Sequence, residues 1–161
     1  MSNPDFNKPE IPALGIVAEL DQADRGLLSG YGNFLPVQDG NDLITEGDAQ
    51  DSLYFVISGI LHVHSEKDGK RTLIGRIEAG ETIGEVSIFD PGPASANVTA
   101  KGFCQVWKAT RADVNAFLQE YPEPAGRFLI GIVAEMSRRI RAVNKKLSTA
   151  ELEASIQNFF H

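Results

Sequence analysis

Short runs of β-branched and aromatic residues recur along the middle of the chain, and they constrain its fold more than any other feature. From about Val37 onward these runs are DLITEG, SLYFVISG, ILHVHSE, RTLIGRIEAG, ETIGEV, ANVTAKG and FCQVWKA, each punctuated by Gly, Asp or Asn. Strands that repeat every ~8 to 12 residues with such turn signals are typical of an antiparallel sandwich or barrel. The sequence therefore predicts an all-β middle region.

Local signals inside this region place its turns and its faces. Asp68 and Gly69 lie between two strand-like runs, and this dipeptide favours a tight hairpin. Gly47 and Gly59 are expected where strands turn. Alternation in SLYFVIS predicts a strand with two faces, one of which points into the β structure. One face carries Leu53, Phe55 and Ile57, and the other carries Tyr54, Val56 and Ser58.

Helices are predicted on both sides of the β region. Scattered apolar positions before residue 37, broken by proline and glycine, indicate one or two short helices after a loose tail. Thr110 or Asp113 is placed to cap a short helix. Beyond it, apolar residues recur at alternating spacings of four and three: Leu129, Val133, Met136, Ile140, Val143 and Leu147.

This heptad pattern predicts an amphipathic helix that pairs with a second copy of the chain or with another protein. Phe128 and Ile132 widen the apolar stripe and favour the alternative, in which the helix packs on its own domain. The basic run SRRIRAVNKK at 137–146 is interpreted as a solvated helix face, with docking to an acidic partner or a nucleic acid as the alternative.

Composition narrows the class of protein. A chain of 161 residues is long enough for one well-formed core, and a formal net charge of −7 argues against a general nucleic-acid binder. Cys104 is the only cysteine, so no intrachain disulfide can form, and we expect it to be buried. The amino terminus does not look like a signal peptide, and the longest apolar stretch is too short to span a bilayer. We therefore expect a cytoplasmic protein.

Several anchors at fixed spacing resemble the cyclic-nucleotide-binding domain family, which includes catabolite-activator-type effector domains and kinase regulatory subunits. The family pattern of Gly, Asp, Leu-Tyr and Ser-Gly is matched within GDAQDSLYFVISG at 47–59, and the resemblance extends over roughly Asp24 to Leu147. It implies an α+β fold: an antiparallel β-roll (a double-stranded β-helix, or jelly roll) flanked by N-terminal helices and a C-terminal helix. The implied divisions are an N-terminal tail and helix at 1–23, the β-roll at 24–121 and a C-terminal helical segment at 122–161.

The resemblance also implies a ligand-binding segment, the phosphate-binding cassette. Its Gly-Glu corresponds to Gly84 and Glu85, and in the family the glutamate accepts a hydrogen bond from the ribose 2′-hydroxyl while amides at the start of a short helix face the cyclic phosphate. In this chain the implied ligand-binding residues are Gly84, Glu85, Val86, Ser87, Ala94, Ser95 and Ala96, with the amide of Ile88 beside them. An N–H cluster at a helix start suits an anion.

One position departs from the family. Where the family carries its phosphate-binding arginine this chain has Ala94, and no Lys or Arg occurs between Ile77 and Ala100. A hydrogen bond to a charged group contributes about 1.5 to 3 kcal/mol, and an arginine makes two to a phosphate. Its loss predicts that binding of cyclic AMP or cyclic GMP is weakened at least tenfold or lost, or that the pocket is altered toward another ligand. Glu85 is equally well explained as a carboxylate that caps its own turn.

Other function classes have less support in the sequence. His62 and His64 lie two residues apart on a predicted strand and face one side, as the metal ligands of a cupin-like β-barrel enzyme would. No third ligand follows at a suitable interval, so exposed strand histidines are the better interpretation. No catalytic set is apparent, and the segment after Leu147 is too short for a DNA-binding domain. We therefore predict a stand-alone, non-catalytic sensor or interaction module, with no metal or resident cofactor.

Overall fold

The computed structural model describes residues 9–159 and confirms the α+β class. After a 3₁₀ turn at Gly15–Val17 the elements are α1 (Gln22–Ser29), β1 (Asn33–Val37), β2 (Asp42–Ile44), β3 (Ala49–Gln50), β4 (Ser52–Lys67), β5 (Lys70–Ile77), β6 (Thr82–Ile83), β7 (Gly92–Pro93), β8 (Asn97–Thr110), α2 (Arg111–Glu120) and α3 (Pro122–Phe159). Parts of the predicted tail and of the C-terminal segment, at 1–8 and 160–161, lie outside the described residues.

Two long strands organise the β-roll. The larger antiparallel sheet runs in the order β1-β8-β4-β5, with β2 also paired to β8 and β6 to β4, while β3 and β7 form a separate two-stranded sheet. The turn predicted at Gly59 is wrong, because β4 continues through it as one strand of 16 residues. Gly59 instead sits at a register shift with φ of +91°, where a Cβ would lie 2.6 Å from Cys104 Sγ.

The predicted alternation along β4 sorts its side chains into two cores. Leu53 and Phe55 pack with the helices in a cluster that includes Trp107, Phe117 and Phe128. Tyr54 and Val56 point to the opposite side and fill the inside of the roll. Because both faces of the strand are covered, the apolar run from 53 to 56 is buried throughout.

Several local predictions are confirmed. Lys67 pairs with Lys70 across the hairpin, and Asp68 and Gly69 both have positive φ, at 54° and 72°. Thr110 is the N-cap of α2 and forms a reciprocal capping box with Asp113, whose backbone N–H donates to the threonine hydroxyl at 3.2 Å. Cys104 is buried and unpaired. The hairpin and the helix cap depend on residues close in sequence, which explains why the sequence reveals them.

The first part of α3 packs on the domain. Ala125, Phe128 and Ile132 are buried in the helical core, and the Arg127 guanidinium donates to an Asp24 carboxylate oxygen of α1 at 2.6 Å. The backbone of α3 approaches the 3₁₀ turn so closely that a Cβ at Gly131 would lie 2.1 Å from the Ile16 carbonyl oxygen. None of the helices in the described range 9–159 is long and apolar enough to cross a bilayer.

The rest of α3 leaves the domain. Every residue from Ile140 to Phe159 is exposed. Of the six predicted heptad residues, Leu129 and Met136 are half-buried against the helical core, while the other four are more than half exposed: Val133, Ile140, Val143 and Leu147. The alternative in which the helix packs on its own domain holds for the first part of α3, while pairing of the exposed part with a partner stays a prediction.

Candidate functional site

The segment after β6 forms the loop that the sequence predicts to bind ligand. Gly84 has φ of +83°, and a Cβ there would lie 2.1 Å from the Ser52 carbonyl oxygen, so the chain passes β4 at a distance that only glycine tolerates. This close approach brings Glu85 to the edge of the roll. Residues 85–89 then form successive turns rather than a regular helix.

The turn geometry occupies one of the backbone amides of the predicted anion site. Of the Val86, Ser87 and Ile88 amides expected to face a phosphate, that of Ile88 donates to the Gly84 carbonyl oxygen at 3.2 Å. The Asp90 amide likewise donates to the Val86 carbonyl oxygen at 2.8 Å. With at most one turn of backbone aligned here, the dipole that a longer helix would direct at an anion is small.

Glu85 is buried and is held by a side chain from a distant helix. The guanidinium of Arg139, on α3, donates from Nη1 to Glu85 Oε1 and from Nη2 to the Thr82 carbonyl oxygen, the second at 2.8 Å. The second oxygen of the glutamate, Oε2, is buried and has no hydrogen-bond partner among residues 9–159. Arg139 therefore joins the cassette to α3 and leaves half of the carboxylate unsatisfied.

Glu135, one turn earlier on α3, holds Arg139 in place. Glu135 accepts from Arg139 Nε at 3.3 Å and from Arg138 Nη2 at 2.8 Å. The hydrogen bond from Arg138, and then the nearby charge of Arg139, hold the pKa of Glu135 below its usual value. The interpretation of the basic run as a solvated face is thus wrong for Arg139, because its guanidinium contacts the β-roll instead of only water.

Ala94 and its neighbours form the opposite wall. The Ala94 amide donates to the Asp48 carbonyl oxygen, and the Gly47 amide donates to the Ala94 carbonyl oxygen, each at 2.8 Å. These bonds extend the β3–β7 pairing and fix Ala94 against the inner core of the roll. The methyl group thus stands where the family's arginine is expected.

The predicted residues converge on one cavity of about 180 Å³. All seven predicted ligand-binding residues line this cavity: Gly84, Glu85, Val86, Ser87, Ala94, Ser95 and Ala96. The rest of the lining consists of Gln50 and of apolar side chains from inside the roll, namely Ile44, Val63, Ile83 and Val98. Glu85 is the single ionisable side chain among the described residues that line the cavity. The site is therefore a small, mostly apolar pocket with one carboxylate.

The two strand histidines do not form a metal centre. His64 is buried, contrary to its interpretation as an exposed strand residue, and its Nε2 lies 2.8 Å from the Thr99 hydroxyl, which donates to Asp42. His62 lines a different depression, on the outside of the sheet. Between Pro9 and Phe159 no group of three His, Cys, Asp or Glu side chains is arranged to hold a metal ion. The cupin-like alternative therefore has no structural support.

Sequence reasoning missed Arg139 as a site residue. Its position in the basic run was visible, but the contact with Glu85 spans 54 residues and depends on how α3 crosses the roll. The available signal was an arginine just before an apolar heptad residue, Ile140, on a helix expected to pack beside the cassette. That signal does not distinguish Arg139 from Arg138 or Arg141.

The fold and the position of this pocket are those of a domain of the cyclic-nucleotide-binding type. The cyclic nucleotide-binding domain family matches residues 34–121, and the chain belongs to that family. This confirms the resemblance seen in the sequence.

Individual relatives agree with the family assignment. The chain is 28% identical over 110 residues to a CRP-like cAMP-activated global transcriptional regulator of Mycobacterium tuberculosis, covering 68% of this chain and 47% of that protein. It is 28% identical over 107 residues to the cAMP-activated global transcriptional regulator CRP of Escherichia coli, covering 65% and 49%. The chain thus spans about half the length of these curated relatives.

Solved structures show the same fold. The N-terminal domain of a transcriptional regulator from Streptomyces coelicolor A3(2) is 30% identical with a TM-score of 0.67, and the match covers 82% of this chain and 90% of that one. The Thermus thermophilus catabolite activator protein has a TM-score of 0.73 at 23% identity, covering 84% and 62%. The predicted β-roll flanked by helices is confirmed.

Proposed function

We propose that this chain is a non-catalytic regulatory module of the cyclic-nucleotide-binding family, in which cyclic AMP and cyclic GMP bind weakly and α3 transmits the state of the pocket. The single observation that carries the proposal is the position of Glu85. It lines the ligand cavity and at the same time binds Arg139 of α3.

The weak binding follows from the chemistry of the lining. Ala94 supplies no charge, the Ile88 amide is already bonded within its turn, and Arg139 directs its recorded donors to Glu85, Thr82 and Glu135. A cyclic phosphate entering this cavity would find no free counter-ion among the described lining residues. Without two charge-assisted hydrogen bonds we expect affinity to fall by about ten- to a thousandfold.

The experiment is a calorimetric titration of cyclic AMP and cyclic GMP into the wild type, Ala94→Arg and the length-matched neutral control Ala94→Met. We expect wild type and Ala94→Met to bind weakly, in the range of about 1 mM, and Ala94→Arg to bind at least about tenfold more tightly. Micromolar binding by the wild type, with no gain in Ala94→Arg, would contradict the proposal.

The coupling follows from shared use of one carboxylate. A ligand donor that binds Glu85 either competes with the Arg139 guanidinium for the carboxylate or moves the guanidinium together with it. Either response changes the strength of the contact between the cassette and α3. Because α3 contacts the domain up to Arg139 and is exposed from Ile140 onward, this contact lies at the junction between the docked and the free parts of the helix. A ligand shifts the equilibrium between two arrangements of α3 only by the difference between its binding free energies for those arrangements.

We further propose that the exposed part of α3 pairs with a second copy of the chain. Its free length from Ile140 to Phe159 is about 30 Å at 1.5 Å per residue. Ile140, Val143 and Leu147 follow the heptad spacing and are each more than half exposed. Apolar residues in this pattern are stabilised by burial against a partner helix.

Sedimentation velocity tests the pairing. The double variant Ile140→Asp with Leu147→Asp should shift a wild-type dimer to monomer, whereas Leu152→Asp, on the opposite side of the helix and equally exposed, should leave it unchanged. A monomeric wild type at about 100 μM would refute pairing between copies and leave a different protein as the partner.

The buried single thiol and the absence of disulfides are compatible with a cytoplasmic location, which we also propose.

A further inference from the structure

We propose that the cavity at Glu85 accepts an uncharged small molecule, with a largely apolar ring system and at least one hydroxyl or N–H donor, in preference to an anion of the same shape. This inference deepens the proposed function and rests on it, since it assumes that the cavity is a ligand site. It names the chemical class of ligand and the residue that selects it.

The walls of the cavity set the body of the ligand. Ile44, Val63, Ile83 and Val98 contribute branched apolar side chains, and Ala94 and Ala96 contribute methyl groups. Apolar cavities of about 150 Å³ bind molecules such as benzene, and this cavity is of similar size at about 180 Å³. A one- or two-ring molecule therefore fits the space and replaces water at the apolar walls.

The unsatisfied oxygen of Glu85 sets the polar contact. Glu85 is 5% exposed, and Oε2 is buried without a hydrogen-bond partner in the described chain, although a carboxylate oxygen is a strong acceptor. A buried acceptor without a donor is unfavourable. Because Glu85 lines the cavity, we infer that a small rotation of its carboxylate brings Oε2 within reach of a ligand hydroxyl or N–H, which relieves that cost. The hydrogen bond is charge-assisted and therefore stronger than one between neutral groups.

The charges of the site exclude both kinds of ion. An anion must give up its hydration in a cavity whose described lining offers no cation, and it gains no net attraction from the paired Glu85 and Arg139. A cation faces a carboxylate that Arg139 already neutralises, so it gains little attraction and must give up its own hydration. An uncharged donor avoids both penalties, and we expect it to bind at least about tenfold more tightly than either ion.

Three probes with one ring system and different charges test this order. Tryptophol is uncharged and carries a hydroxyl, indole-3-acetate is an anion, and tryptamine is a cation; adenosine and cyclic AMP form a second pair that differs in the phosphodiester. Each is titrated to about 5 mM while the backbone amide shifts of residues 84–87 and 94–96 are followed by NMR. We expect tryptophol or adenosine to shift these amides at concentrations at least about tenfold below their charged counterparts.

The variant Glu85→Gln keeps the shape of the side chain and removes its charge, so it should narrow the difference between tryptophol and indole-3-acetate. Asp90→Asn, in the same loop but exposed and outside the cavity, should leave that difference unchanged. The inference is overturned if neither uncharged probe shifts the cavity amides, or if indole-3-acetate or cyclic AMP does so at an equal or lower concentration than its partner.

The variant Ala94→Arg separates the two proposals. If the wild type takes no uncharged probe but Ala94→Arg binds cyclic AMP, the ligand class is wrong and the proposed ligand site stands. If the wild type and Ala94→Arg bind none of the five probes, both proposals fail. If uncharged probes bind and Ala94→Arg gains cyclic AMP, both are supported.

Discussion

Breaking the contact between Arg139 and Glu85 should destabilise the chain by a measurable and specific amount. Arg139→Met keeps the apolar part of the side chain and removes the three hydrogen bonds of its guanidinium, to Glu85, Thr82 and Glu135. Removing one partner of a fully buried ion pair costs about 3 to 5 kcal/mol. Here the Arg139 side chain is 38% exposed while that of Glu85 is 7% exposed, so water compensates in part. We therefore expect a loss of about 1 to 2 kcal/mol.

A double-mutant cycle isolates this contact from the others. The four proteins are the wild type, Arg139→Met, Glu85→Gln and the double variant, each unfolded in urea at one protein concentration, because a dimer's stability depends on concentration. We expect a coupling free energy of about 1 kcal/mol or more between the two positions. The matched control is Arg138→Met, whose recorded side-chain bonds go only to Glu135.

The cycle also has a clear negative outcome. A coupling below about 0.3 kcal/mol between Arg139 and Glu85, equal to that between Arg138 and Glu85, would refute the reasoning that the buried carboxylate depends on Arg139. In that case the two side chains meet without mutual stabilisation, and the proposed link between the pocket and α3 loses its physical basis.

Three further predictions follow from local geometry. Gly131→Ala should lower the free energy of unfolding by about 1 to 3 kcal/mol, because the new Cβ would lie 2.1 Å from the Ile16 carbonyl oxygen. Gly126→Ala, in the same helix with open space around it, should raise the free energy of unfolding by about 0.5 to 1 kcal/mol, and equal effects of the two variants in thermal unfolding would contradict the close backbone approach. Thr110→Ala should cost about 1 kcal/mol through loss of the α2 capping box, and Thr110→Ser should restore most of it in urea unfolding; no difference between the two would argue against the cap. Folding lowers the pKa of Glu135, so its charge stabilises the protein at pH above the ordinary pKa of 4.5, and this contribution is lost as the pH falls below that value. The difference in unfolding free energy between the wild type and Glu135→Gln should therefore shrink on acidification, and a difference that widens would have the wrong sign.

Much of the fold could be predicted because its signals are local. The hairpin at Asp68-Gly69, the Thr110 cap and the alternation along β4 each follow from the conformations available to a few neighbouring residues. Gly59 shows the limit of this reasoning. A glycine with positive φ serves a turn or a bulge equally well, and only the partner strand, with Cys104 beside it, determines which is formed.

The candidate site divides in the same way. The loop residues around Glu85 and Ala94 were predicted from the resemblance to the cyclic-nucleotide-binding family, and the structure brings all seven predicted residues to one cavity. The burial of His64 was missed because the sequence of a strand does not show whether its outer face is open to solvent or covered. Its cover includes Thr99 and Asp42, from two other strands.

The sequence by itself determined the family and the class of fold, because these depend on which residues occur at fixed spacing. The resemblance to the family then predicted the position of the cassette and Ala94 in place of the family's arginine. Only the tertiary structure decided that Arg139 binds Glu85, that one carboxylate oxygen remains unsatisfied and that α3 leaves the domain after Arg139. Such contacts join positions as far as 54 residues apart. They arise from the packing of a long helix across a β-roll, and no local preference of the chain specifies that crossing.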